Sequence, residues 1–209
     1  MDFLFLGTVS KEIFINAENE IFTENHGCKD RKNINTFYKT TAGIMAMIKP
    51  CGIVVQTMDM FTAESLTQAF IFLKKIGFQN NEDYKHISWV GYDRSCELKP
   101  FVKKLADSGD EEAKIMMSNW DFLVDIFHVF KHKKTSCMPL NNPNCQFHPH
   151  LSKFSKIAGV NTESCEQGFR RLNRYKFMLK KMTRNKRKFV LDEINDDYNV
   201  RLEKRLCKA

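Results

Sequence analysis

Apolar segments of strand length and segments of helical periodicity follow one another along this chain, and their order constrains its fold most strongly. Two apolar runs on either side of Pro50, Cys51 and Gly52 predict a β-hairpin over residues 41–57. Further strands are predicted at 11–22, 86–92 and 122–129, and helices at 63–75, 97–120, 163–182 and 186–206. The order of strand, hairpin, helix, strand, helix, strand and helices predicts a mixed α/β fold with a helical C-terminal region.

Length and composition narrow the class of protein. With 209 residues and 43% hydrophobic residues, the chain is expected to form a single domain over residues 1–209, with a sizeable core. No apolar run approaches the roughly 20 residues that cross a membrane, so no membrane partner is expected. The first residues lack the basic region of a signal peptide, and the seven scattered cysteines favour reduced thiols in the cytosol or nucleus.

Histidines and cysteines cluster between Asp125 and His150, at spacings that suit one zinc ion. Zinc prefers four nitrogen or sulfur ligands in a tetrahedron, and paired ligands two to five residues apart can reach the same ion. The sequence therefore predicts a zinc-binding loop at about 128–150 with structural zinc held by His128, His132, Cys137 and Cys145. His148 is an alternative ligand, and a chance cluster on a polar loop is the competing interpretation.

The C-terminal third carries an unbalanced positive charge. Ten Lys or Arg residues and no Asp or Glu lie between Arg170 and Lys188, in a chain of net charge +8. Such a stretch is often a solvated helix face, but without acidic partners it favours a polyanion, and DNA is preferred over a membrane surface. The predicted phosphate contacts are Arg170, Arg171, Arg174, Lys180, Lys181, Arg184 and Lys188.

Two acidic residues stand at positions where chemistry is common. Asp93 follows the predicted strand 86–92, and Glu166 lies in the first turn of the helix predicted at 163–182. Strand ends are frequent sites of metal-dependent chemistry. Each residue also has a simpler interpretation, since Asp is common in turns and an acid near a helix N-terminus complements the helix dipole.

Four segments in order resemble the Kyakuja-Dileera-Zisupton (KDZ) transposases, from about Thr41 to Met182. The similar segments are AGIMAMIKPCGIVVQTMDMFTAES, YDRSC, FLVDIFHVFKHKKTSC and NTESCEQGFRRLNRYKFMLKKM. The resemblance implies an RNase H-like mixed sheet with flanking helices, an inserted zinc-binding loop and basic C-terminal helices at about 163–206. It also implies a set of two Asp and one Glu that holds two Mg²⁺ or Mn²⁺ ions for cutting and joining DNA.

In this resemblance Asp93 matches the second Asp and Glu166 the Glu, while His128, His132 and Cys137 match the histidine and cysteine positions. The first Asp is expected to close the first strand, where this sequence has Asn16, or Glu18 if the register shifts by two residues. Asn16 offers only a neutral amide, whereas Glu18 could bind a cation. We therefore expect a truncated or degenerate copy, in which Glu18 is the candidate for the missing catalytic carboxylate.

The sequence thus predicts a nuclear, DNA transposase-like protein that cuts and joins DNA by metal-dependent phosphoryl transfer, with decayed activity if Asn16 rather than Glu18 stands in the first carboxylate position. One alternative is an inactive, domesticated relic that binds DNA through its basic helices. Another is an unrelated zinc-stabilised interaction module, which a large separation of Asp93 and Glu166 would favour. No small-molecule substrate is expected, and the sequence leaves homo-oligomer formation open.

Overall fold

A computed structural model describes residues 2–8, 41–61, 64–78, 87–125, 128 and 159–208 of the chain. Its centre is a five-stranded mixed sheet of strands β1 (Asp2–Thr8), β2 (Gly43–Ile48), β3 (Val54–Met60), β4 (Ile87–Tyr92) and β5 (Asp121–Leu123). The strand order is β3-β2-β1-β4-β5. β2 is antiparallel to both β1 and β3, and β4 is parallel to β1 and β5. The carboxyl ends of β1, β4 and β5 therefore meet at one edge of the sheet.

The hairpin predicted over 41–57 is confirmed as β2 and β3. Its turn is closed by hydrogen bonds between Lys49 and both Gly52 and Ile53, and Gly52 has a φ of +94°, which a side chain would strain. All six residues of β2 are buried, because both faces of this strand are covered. Met45 and Met47 belong to the core on one face, whereas Ile44, Ala46 and Ile48 belong to the core on the other.

One face of the sheet is covered by three helices, α1 (Leu66–Gly77), α2 (Ser95–Asp107) and α3 (Glu111–Asn119). Ser65 caps α1 by accepting the backbone N–H of Gln68. The prediction of one continuous helix at 97–120 is wrong, because the chain turns at Gly109, whose φ is +105°, and forms two helices. Asp110 then caps α3 by accepting the N–H of Ala113 at 2.8 Å.

The other face is covered by α4 (Ser164–Leu172), a 3-10 turn (Asn173–Tyr175), α5 (Lys176–Lys180) and α6 (Arg184–Leu206). The helix predicted at 163–182 is therefore interrupted, and the one predicted at 186–206 begins two residues earlier. Arg187 is fully buried and donates to both carboxylate oxygens of Asp59 on β3, at 2.9 and 2.8 Å. Asn199 adds a second link, since its side-chain amide bonds both the N–H and the C=O of Val54.

The strand predicted at 122–129 is shorter, and β5 ends at Leu123, so Asp125 lies beyond it. The strand predicted at 11–22 lies outside the described residues, and the central place between β2 and β4 is held by Asp2–Thr8. β1 carries one acid, Asp2, which pairs with Ile87 at the far end of β4, while Gly7 is level with Asp93, one residue past the Leu6–Tyr92 pair.

Candidate functional site

Asp93 lies at the carboxyl end of β4, in the short turn that leads into α2. The buried Ser95 hydroxyl donates to the backbone C=O of Leu123 at 2.7 Å and so ties this turn to the end of β5. The carboxyl ends of the parallel strands β4 and β5 are therefore held side by side, and Asp93 lies at this edge. This is the edge of an α/β sheet at which ligands commonly bind.

Asp125 fixes the imidazole of His128. Its buried carboxylate accepts the backbone N–H of His128 at 2.9 Å and lies 2.7 Å from the ring Nδ1. That hydrogen bond is the main cause of a raised pKa for His128, which burial opposes and the charges of Asp125, Asp93 and Glu166 reinforce. The other ring nitrogen, Nε2, lies 3.7 Å from Oε1 of Glu166.

Glu166 reaches the site from the first turn of α4, which packs closely on β2. A side chain at Gly168 would place its Cβ 2.4 Å from Cδ1 of Ile48, so the close packing requires glycine unless Ile48 moves. The neighbouring Cys165 thiol is buried, and burial raises its pKa, with Asp125 and Glu166 acting in the same direction. A protonated, buried thiol is a packing group and a poor nucleophile.

Glu64 is a fourth carboxylate of this site. It precedes the Ser65 cap of α1 and accepts a hydrogen bond from the hydroxyl of Tyr92, the last residue of β4. Burial and then the negative charge of Glu64 raise the pKa of Asp93 to about 7, while Asp125 adds to this and His128 opposes it. The buried Tyr92 also has a raised pKa, caused by burial and then by Glu64.

The structure therefore gathers Asp93, Asp125 and Glu166 around the imidazole of His128, and Glu64 lies beside Asp93. Asp93 and Glu166, the two carboxylates named from the sequence, both contribute to the raised pKa of His128, and Glu166 lies 3.7 Å from its Nε2. In the described parts of the chain, no three His, Cys, Asp or Glu side chains are placed to hold one metal ion. The predicted Glu18, His132, Cys137 and Cys145 lie outside the described residues.

Sequence reasoning misses Glu64 because this residue falls within the helix predicted at 63–75. The available signal was its place between β3 and the Ser65 cap, in the hairpin-to-helix connection MDMFTAES. An acid at such a connection can point toward the end of a neighbouring strand, but which strand is the neighbour depends on sheet order. That order, with β1 between β2 and β4, is not written in any local pattern.

The basic stretch forms a surface beside the sheet, but its residues have different roles. Exposed members of the predicted set are Arg170, Arg174, Lys180, Lys181, Arg184 and Lys188. Arg171 is half-buried, with its guanidinium 3.5 Å from the ring centre of Tyr198 and a hydrogen bond to Asn195 at 3.3 Å. Arg171 therefore joins α4 to α6, and burial lowers its pKa. We call the exposed set the basic surface.

These observations define an α/β protein with an acidic site at the ends of parallel strands and a basic helical flank. The family model described as Kyakuja-Dileera-Zisupton transposase matches residues 16–199, and the chain belongs to this family. The match begins after β1 and includes Asn16, Glu18 and all four carboxylates of the acidic site. No curated protein and no solved structure matches the chain.

Membership of a transposase family implies an interaction with DNA. It confirms the resemblance found in the sequence and extends it to most of the chain. Within the described ranges, no helix has the length and apolar character that a membrane crossing requires.

Proposed function

We propose that this protein carries out metal-dependent phosphoryl transfer on DNA in the nucleus, as a transposase with an RNase H-like fold. The observation that carries the proposal is the placement of His128 between Asp93, at the carboxyl end of β4, and Glu166, whose Oε1 lies 3.7 Å from its Nε2, with Glu64 beside Asp93. The family match supports the reaction class. The fold assignment is supported by a five-stranded sheet in which only β2 runs against the other strands.

The charge of the site is suited to divalent cations. Burial and the negative charge of Glu64 raise the pKa of Asp93 to about 7, so a bound cation would stabilise the ionised form of this carboxylate. We propose that Asp93 and Glu166 hold Mg²⁺ or Mn²⁺, and that Glu64, which lies next to Asp93, takes the role that the family resemblance implies for Glu18. These three side chains would have to move closer together to share one ion. When bound, such ions supply stabilisation of the attacking and leaving oxygens of a phosphodiester.

The remaining residues of the site position these carboxylates. Tyr92 donates to Glu64 and fixes one of its oxygens. Asp125 fixes His128 through two hydrogen bonds, and the imidazole then lies beside Glu166. A protonated His128 would offset part of the negative charge of these carboxylates, and its Nε2 lies 3.7 Å from Oε1 of Glu166.

Structural zinc remains a separate proposal, with His128, His132, Cys137 and Cys145 as ligands. Metal-binding histidines commonly use one ring nitrogen for the ion and donate the other to a carboxylate, and Asp125 at 2.7 Å from Nδ1 provides such an acceptor. His128 could therefore use Nε2 for zinc or for a cation of the acidic site. Elemental analysis of the purified protein and of Cys137→Ser distinguishes these ligand sets, since loss of zinc in that variant implicates the loop.

Cleavage of a supercoiled plasmid in Mg²⁺ or Mn²⁺ tests the proposed reaction. We expect nicking that is lost in Asp93→Asn, Glu166→Gln and Glu64→Gln. Glu163→Gln is the matched control, because Glu163 is exposed at the start of the same helix as Glu166 and makes no described contact with the site. Loss of nicking in Glu18→Gln, with full activity in Glu64→Gln, would assign the third carboxylate to Glu18.

A second candidate function is DNA binding without cleavage. It is favoured by β1, where Gly7 is level with Asp93 and no acid stands at that end of the strand. In that case the purified protein binds DNA but shows no metal-dependent nicking. Asn16→Asp then tests whether a carboxylate at the position that the family resemblance assigns to the first Asp restores nicking.

A further inference from the structure

Two large apolar side chains lie exposed within the basic stretch. Phe177 and Met178, on the single turn of α5, have 76% and 42% of their surface exposed, whereas the adjacent Leu179 is buried in the core. Leu179 packs in the core on this face of the sheet and anchors the turn. The exposure of Phe177 therefore has no packing explanation among the residues that the structure describes.

The surroundings of Phe177 are cationic. Arg174, Lys180 and Lys181 are exposed within four residues of it, and no acid occurs between residues 170 and 188. The Nζ of Lys176 lies 6.0 Å from the centre of its ring. Phe61, in contrast, is also exposed but has the guanidinium of Arg184 stacked 4.7 Å above its ring.

We propose that Phe177, supported by Met178, is a stacking platform for unpaired bases of single-stranded DNA. The neighbouring cations would hold the phosphates on either side. Aromatic rings stack on any base with little sequence preference, and proteins that bind single strands combine such rings with a basic surface. The bases of intact duplex DNA are already stacked on each other, so the platform discriminates between the two forms.

Charge favours DNA over a protein partner as the occupant of this surface. Lysines are depleted from protein interfaces, and one Phe and one Met make a small apolar area. An exposed aromatic side chain with exposed cations within four residues of it in sequence matches a base flanked by phosphates. The inference rests on the proposed action on DNA and specifies the form of DNA that this surface binds.

Fluorescence anisotropy with an oligothymidine strand and a blunt duplex of equal phosphate number tests the inference. Phe177→Ala is expected to weaken single-strand binding on the order of tenfold and to leave duplex binding within about twofold. Lys180→Ala should weaken both forms, because a phosphate contact does not depend on base pairing. Ile71→Ala is the matched control, since Ile71 is 51% exposed but lies on α1, which packs on the opposite face of the sheet.

A second readout reports stacking directly. Trp89 and Trp120 are buried, so the indole introduced by Phe177→Trp would be the exposed reporter among the described tryptophans. Its fluorescence should fall on addition of oligothymidine and change little with duplex. Equal losses for both DNA forms in Phe177→Ala, or no loss in either, overturn the inference while leaving DNA binding itself intact. Failure of the unmodified protein to bind either form would overturn both the inference and the proposed action on DNA.

Discussion

The acidic site and the basic surface are both highly charged, yet they are built in opposite ways. The acidic site takes one or two residues from each of four segments and buries Asp125 and much of Asp93, so that the pKa of Asp93 is raised to about 7. The basic surface comes from one continuous stretch and leaves most of its charges in solvent. Charges that the fold encloses depend on their partners, whereas exposed charges remain available to a ligand.

Arg187 shows that the two kinds of charge can occur side by side in sequence. It lies between the exposed Lys186 and Lys188, yet it is fully buried and pairs with Asp59. Its role follows from the periodicity of α6, where the face that includes Leu191 and Asn195 is also buried. One position in a charged stretch can therefore determine stability while its neighbours determine binding.

The largest expected effect is a difference in the free energy of unfolding between a variant of Arg187 and a variant of Lys188. Arg187→Ala removes both hydrogen bonds to the buried Asp59 carboxylate and leaves the exposed Arg184, 3.9 Å away, as its described cationic partner, so we expect a loss of about 3–5 kcal/mol in the free energy of unfolding. Lys188→Ala, one residue away and exposed, should change it by less than about 0.5 kcal/mol. Urea denaturation of both variants measures the difference, and equal stabilities would show that the buried pair is not an important link between α6 and β3.

The next effect concerns DNA affinity. Neutralising Arg174, Lys180 and Lys181 together should lower duplex affinity by roughly ten- to a hundredfold at low salt, because three phosphate contacts are removed. The slope of log affinity against log salt should fall by about 2 to 3. Arg171→Ala, in contrast, should mainly lower stability, since Arg171 is stacked on Tyr198. A triple variant with an unchanged slope would assign the phosphate contacts to other residues.

A smaller effect is expected on the pH dependence of stability, through the charge of Asp93. The pKa of Asp93 lies above its ordinary value of 3.8, so its ionisation disfavours the folded state. That cost is absent below about pH 4 and complete above about pH 7. The raised pKa of His128 acts in the same direction, since its stabilisation is present below pH 6.5 and lost as pH rises through the folded-state pKa.

Asp93→Asn should therefore raise the melting temperature by a few degrees at pH 8 and by less at pH 5, on the scale of roughly 2–4 °C per kcal/mol for a chain of this size. Added Mn²⁺ should stabilise the unmodified protein more than Asp93→Asn at pH 8. Melting curves at both pH values, with and without Mn²⁺, provide the measurement. A variant that is less stable at pH 8 would mean that Asp93 is already compensated in the folded protein.

The smallest effect compares two serines that make the same kind of hydrogen bond. Ser95→Ala removes a buried bond to Leu123 at the acidic end of the sheet and should cost about 1 kcal/mol. Ser118→Ala removes an exposed bond to Lys114 of similar length and should cost much less. Thermal melts of the two variants give the comparison, and equal costs would indicate that the strand ends are held together by other contacts.

The sequence predicted the hairpin, the strand before Asp93 and the helical C-terminal region, because each is encoded by local periodicity and turn residues. It also named Asp93 and Glu166, whose positions at a strand end and a helix start are local features. Glu64 could not be found in this way, because its closeness to Asp93 depends on sheet order and on the Tyr92 hydroxyl. Nor could charge pattern separate Arg187 from Lys188, since their difference is one of helix face.

The link between Asn199 and Val54 also affects how copies of the chain behave toward one another. β3 is an outer strand of the sheet, and an outer strand presents free backbone N–H and C=O groups that can pair with a strand of another molecule. The Asn199 amide occupies both groups of Val54, and α6 lies along the same strand. Asn199→Ala would expose this pairing site, so the expected consequence is a greater tendency of concentrated protein to aggregate through its sheet edge.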